Sequence, residues 1–102
     1  MIRVLVNSRR EEIAAFCRRN HIRRLSLFGS ALRGEERQGS DVDFVVEFQP
    51  GETPGYFGLA RMERELSAIL AGKTVDLRTP GELSRYFRDE VLASAEVEYA
   101  EG

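Results

Sequence analysis

Apolar and polar positions divide the chain into short alternating elements. Ser8-Arg9-Arg10-Glu11 has capping-box spacing, and Ile13, Phe16 and Cys17 follow on one helical face, which predicts a helix over 8–19 stopping near Asn20. Ahead of it, Ile2, Val4 and Val6 alternate as in a strand, in a run too short to decide the conformation of residues 1–7. Leu25, Leu27 and Phe28 form an apolar segment that stops at Gly29-Ser30, the pattern of a strand ending in a tight turn, with Ser30 placed to cap a following helix. Val42, Phe44, Val45, Val46 and Phe48 read as a largely buried strand with Asp41 and Asp43 at its start. After the Pro50–Gly55 loop, Leu59, Met62, Leu66, Ile69 and Leu70 recur at helical spacing up to Gly72. Residues 73–79 predict a strand ended by Pro80-Gly81. Leu83, Tyr86, Phe87, Val91 and Leu92 predict a last helix whose Leu83, Tyr86 and Phe87 pack in the core, and Val97 and Tyr99 add a short final strand.

This order implies an α/β fold, a small mixed sheet flanked by helices. At 102 residues the chain reads as a single domain over 1–102. Its 42% hydrophobic and 31% charged content excludes a wholly disordered chain, and one cysteine, Cys17, excludes an internal disulfide. No apolar run approaches the roughly 18 residues of a membrane span, and the N-terminus is too short and interrupted for a signal peptide, so a cytoplasmic protein is expected. The net charge of −2 hides a split: residues 1–40 carry nine Arg against four Glu, and residues 41–102 carry six basic against thirteen acidic residues.

The acidic half holds the candidate chemistry. Asp41 and Asp43, at i and i+2 on a strand, project to the same side, where two like charges call for a cation such as Mg²⁺ between them. Asp76, between Val75 and Leu77, is directed away from the core and offers a third carboxylate for a two-metal phosphoryl-transfer site. Gly29 lets backbone approach a phosphate, the Ser30 hydroxyl and following N–H groups point at it, and Arg33 reaches toward the same triphosphate.

Gly29-Ser30-Ala31-Leu32-Arg33-Gly34 followed by Ser40-Asp41-Val42-Asp43 resembles the signature of the DNA polymerase β-like nucleotidyltransferases. At this length the chain is similar to their minimal nucleotidyltransferase (MNT) branch, antitoxins of HEPN-domain ribonuclease toxins. Leu32 departs from the family's usual small residue. The resemblance implies a polymerase β palm-like fold in which Asp41, Asp43 and Asp76 are catalytic and bind two Mg²⁺ ions, with Asp76 helping to deprotonate the acceptor. It places Gly29, Ser30, Arg33 and Ser40 at the nucleotide. It implies transfer of AMP from ATP to a hydroxyl, a tyrosine, of a partner HEPN toxin, and an assembly with that partner.

Plainer readings stand beside these. Asp41 and Asp43 can be a polar strand edge, Asp76 a salt-bridging residue and Arg33 a solvated helix residue. His21 reads as a cation at a helix C-terminus and Cys17 as core. The Arg9-Arg10, Arg18-Arg19 and Arg23-Arg24 pairs read as solvated faces rather than a nucleic-acid patch, given an overall pI near 5.5. Two rival functions remain: a non-catalytic antitoxin that occludes its toxin, and a nucleotidyltransferase acting on a small molecule such as an aminoglycoside.

Overall fold

A computed structural model describes residues 2–29, 32 and 41–101. In chain order the elements are α1 (Ile2–Ser8), α2 (Arg10–Arg19), β1 (Ile22–Phe28), β2 (Val42–Phe48), α3 (Tyr56–Ile69), β3 (Val75–Arg78), a 3-10 turn (Pro80–Glu82), α4 (Arg88–Ser94) and β4 (Glu96–Ala100). The strands form one mixed sheet in the order β3-β2-β1-β4, in which β1 runs antiparallel to β2 and β4 while β2 and β3 are parallel. A parallel pair cannot be joined by a hairpin, and α3 supplies the crossover between β2 and β3. The mixed α/β sheet expected from the sequence is present; the helix expected after Ser30 lies outside the described residues.

The ambiguous first segment is a helix. Ile2 and Val6, at i and i+4, share one helical face and are buried, whereas Val4 at i+2 faces solvent and is 60% exposed. A two-residue alternation of three apolar side chains therefore concealed an i, i+4 pair. The capping box expected at Ser8 is not formed. Ser8 is the last residue of α1, its hydroxyl donates back to the Leu5 carbonyl at 2.7 Å, and α2 starts at Arg10. The chain leaves α2 through His21, whose φ of 57° closes the helix in the left-handed conformation after Asn20.

Helices α1, α2 and α3 bury one face of the sheet. Ile2, Val6, Ile13, Phe16, Cys17, Met62 and Leu66 from the helices, with Leu70 just after α3, meet Leu25, Leu27, Phe44, Val46, Val75 and Leu77 from the strands in one cluster. Cys17 is fully buried there, and burial pushes its thiol up to about 12. The residues that alternate with these on β2 and β3, Asp43, Val45 and Asp76, project to the opposite face.

The last predicted helix is shorter than expected. The Ser84 hydroxyl accepts a hydrogen bond from the Tyr86 N–H at 3.3 Å, a local turn that competes with helix formation, and α4 begins only at Arg88. Of the three residues assigned to the core, Leu83 is buried, but Tyr86 and Phe87 are exposed. Without helical geometry over 83–87, their spacing no longer puts them on Leu83's face.

Candidate active site

The face of the sheet not covered by α1–α3 carries the carboxylates. β2 enters the sheet through the Val42 N–H donated to the Thr74 carbonyl at 2.8 Å, which locks β2 to β3 at their first residues. From that anchor the parallel register sets Val42 against Val75 and Asp43 against Asp76. Val42, Phe44, Val75 and Leu77 are buried, so Asp43 and Asp76 emerge side by side on the other face. Asp41 stands exposed just before β2.

Asp43 sits within the electrostatic reach of both other carboxylates. Burial pushes the Asp43 carboxyl above its usual range, the negative charges of Asp76 and Asp41 push it further, and Arg78 opposes the rise. Arg78 follows Asp76 by two residues, and its Nε donates to Asp76 Oδ2 at 3.1 Å. This arginine was not singled out from the sequence. The available signal was its i+2 position on a strand, the same relation that links Asp41 to Asp43.

Gly29 closes the other side. At the end of β1, where Phe28 pairs with Asp43, the backbone turns with φ of 81° at Gly29. A Cβ built on Gly29 would stand 2.6 Å from Asp43 Oδ2, so both the left-handed turn and the close approach to the carboxylate require glycine. Ser30, Arg33 and Ser40, the other nucleotide contacts expected from the sequence, lie outside the described residues. Leu32 is partly buried against the core cluster.

Two cavities open beside the carboxylates. One of about 370 Å³ is lined by Asp43, Asp76, Arg78 and Glu82 together with apolar Phe28, Leu83, Phe87 and Val91. The other, about 300 Å³, reaches from Asp76, Arg78 and Glu82 toward Tyr56, Leu59 and Glu63 of α3. Glu63 also accepts the Leu77 N–H at 2.8 Å, satisfying a donor on the strand at the edge of the sheet.

Among the described residues, no three His, Cys, Asp or Glu side chains close around a point where a metal would be held. The donors present are all carboxylate oxygens, the ligands preferred by a hard cation such as Mg²⁺, which is usually held by one or two carboxylates plus substrate phosphates. A half-buried carboxyl whose charge is opposed by two like neighbours is a site that a cation would stabilise.

The sequence matches the family model described as "Nucleotidyltransferase domain" over residues 10–98. The chain belongs to the nucleotidyltransferase domain family. This nucleotidyltransferase is 33% identical over 90 residues to a Methanocaldococcus jannaschii protein provisionally named protein adenylyltransferase MJ0435, an alignment spanning 88% of this chain and 94% of the relative. It superposes with a TM-score of 0.76 on a solved structure provisionally described as a minimal nucleotidyltransferase, at 35% identity and covering 93% of this chain and 94% of that one. A chain from the complex of tri-AMPylated Shewanella oneidensis HEPN toxin with MNT antitoxin shares the fold, with a TM-score of 0.67 at 18% identity over 94% of this nucleotidyltransferase and 73% of that chain. Among the described residues, no helix of the nucleotidyltransferase is long and apolar enough to cross a membrane.

Proposed function

We propose that this nucleotidyltransferase transfers AMP from ATP to the hydroxyl of a tyrosine on a HEPN-domain ribonuclease toxin, in the cytoplasm, and so acts as an antitoxin within a single catalytic domain. The reading is carried by the in-register Asp43–Asp76 pair beside Gly29, which joins a carboxylate cluster to a backbone turn with no side chain in the way. It is supported by the adenylyltransferase name of the M. jannaschii relative and by the AMPylated toxin found with an MNT antitoxin in the Shewanella complex.

Two Mg²⁺ ions would be held by Asp41, Asp43, Asp76 and the triphosphate, offsetting negative charge on the phosphates. The chain's own residues do the rest. Gly29 leaves room for a phosphate oxygen next to Asp43, with Ser30, Arg33 and Ser40 as further nucleotide contacts. Asp76, oriented by Arg78, is the carboxylate assigned to take the acceptor's proton as its oxygen bonds to the α-phosphorus. The bond from that phosphorus to the bridging oxygen breaks, and pyrophosphate leaves.

Incubation of the chain with labelled ATP, Mg²⁺ and a HEPN-domain toxin from the same organism is expected to label that protein. The Asp43→Asn variant is expected to remain folded by circular dichroism and to label nothing. Absence of label with the parent chain, together with full neutralisation by an Asp41→Asn, Asp43→Asn double variant, would replace catalysis with occlusion. Label on an aminoglycoside and none on protein would replace the acceptor.

A further inference from the structure

Four aromatic side chains have no place in the core or in the chemistry described above. Tyr56, Phe57, Tyr86 and Phe87 are 80%, 85%, 78% and 60% exposed. They occur as two adjacent pairs on separate elements, one in the first turn of α3 and one in the segment that leads into α4. Tyr56 and Phe57 touch edge to face, with ring centroids 5.6 Å apart, and the Arg85 guanidinium lies 5.1 Å over the Tyr86 ring.

Their placement follows the site. The two cavities share Asp76, Arg78 and Glu82; Tyr56 lines one and Phe87 the other. The pairs therefore flank a polar divide that contains one of the candidate catalytic carboxylates. Tyrosine, phenylalanine and arginine around a polar centre make up the composition of a protein interface, and leaving such rings in water has a cost that a partner would relieve.

We infer that these two aromatic pairs are the docking surface for the protein acceptor, gripping it on both sides of the hydroxyl that is presented to Asp76. The inference rests on the protein-acceptor reading above and adds which residues select that acceptor. An acceptor held by both pairs would lie over Asp76, the carboxylate that both cavities share, so a partner bound there without being the substrate would block the reaction. A small acceptor fills one cavity and leaves the opposite pair in water; only a folded surface covers both. The rings fix the partner's position, and the carboxylates carry the chemistry.

Phe57 and Tyr86 line neither cavity, so Phe57→Ser and Tyr86→Ser test docking without touching the site. With the full chain, ATP and Mg²⁺, AMP transfer is measured to two acceptors: a HEPN-domain toxin from the same organism and N-acetyl-tyrosinamide. The double variant is expected to raise KM for the protein by about tenfold or more with kcat nearly kept, and to leave transfer to tyrosinamide within about twofold. Equal loss on both acceptors, or no change on either, overturns the docking role. Sedimentation velocity of the chain alone gives a third outcome: dimerisation abolished by the same substitutions, with protein KM unchanged, would assign the surface to a second copy and likewise overturn the inference. If the parent chain transfers to neither acceptor while still binding AMP-PNP, the protein-acceptor reading itself fails and this inference falls with it.

Discussion

Gly29 and Asp43 constrain each other tightly. Gly29→Ala would add a Cβ 2.6 Å from Asp43 Oδ2 at a φ of 81°, so the turn and the carboxylate cannot both stay in place. The left-handed backbone alone costs a non-glycine residue about 1–2 kcal/mol, and a lower melting temperature with loss of AMP transfer is expected. Asp43 itself carries a stability cost. Burial and the charges of Asp76 and Asp41 raise its carboxyl above the ordinary 3.8, so the fold holds that proton more tightly than the unfolded chain does. Its contribution to stability is best below 3.8 and is lost as pH rises through the raised folded value. Without Mg²⁺ at pH 7, Asp43→Asn is therefore expected to melt higher than the parent chain while losing activity; an equal or lower melting temperature would remove the repulsion argument. Cys17, with its thiol pushed up to about 12 in the core, is expected to resist Ellman's reagent until the protein is unfolded in urea.

At the scale of elements, α2 is tied to the edge strand β4 by one arginine. The Arg10 guanidinium donates to the Glu98 carbonyl at 3.0 Å and pairs with the Glu98 carboxylate at 3.2 Å, a side chain only 2% exposed. Burial and the neighbouring Glu96 push the Glu98 carboxyl up, and Arg10 counteracts them. Arg10→Ala leaves that carboxylate buried without its cation, and a loss of about 2 kcal/mol in urea unfolding is expected, reduced because the arginine itself is half-exposed. Adding Glu98→Gln to Arg10→Ala is expected to restore part of the loss at pH 7, since the uncompensated charge is gone. A double variant no more stable than the single one would mean that Arg10 acts through its contact with the Glu98 carbonyl instead.

Over the whole molecule the charge split becomes a set of cross-links. Arg3 pairs with Glu96, Arg10 with Glu98, Arg19 with Glu65, and Arg23 and Arg24 with Glu47, so arginines of the basic half meet glutamates of the acidic half. Most of these pairs are partly exposed, each contributing about 0–1 kcal/mol and weakening in salt. Raising NaCl from about 0.05 to 0.5 M is expected to lower the unfolding free energy by about 1 kcal/mol. A rise in stability with salt would mean that unpaired repulsion, such as that among Asp41, Asp43 and Asp76, outweighs the pairs.

Local sequence determined what local geometry controls. Alternation along a strand was enough to turn Asp43 and Asp76 away from Val42, Phe44, Val75 and Leu77, and a glycine at the end of an apolar run was enough to mark the turn at Gly29. Long-range packing decided the rest. Strand order and register, set by the Val42–Thr74 hydrogen bond and the α3 crossover, brought Asp43 opposite Asp76; nothing in either segment alone specifies its partner. Ile2 and Val6 became helical because a core was there to receive one side of the helix, and a hydroxyl turn at Ser84 withheld Tyr86 and Phe87 from a helix that their spacing suggested. Periodicity tells a side chain which way to face relative to its neighbours; only the assembled sheet and helices determine whether that direction leads into the core, to a carboxylate or to open water.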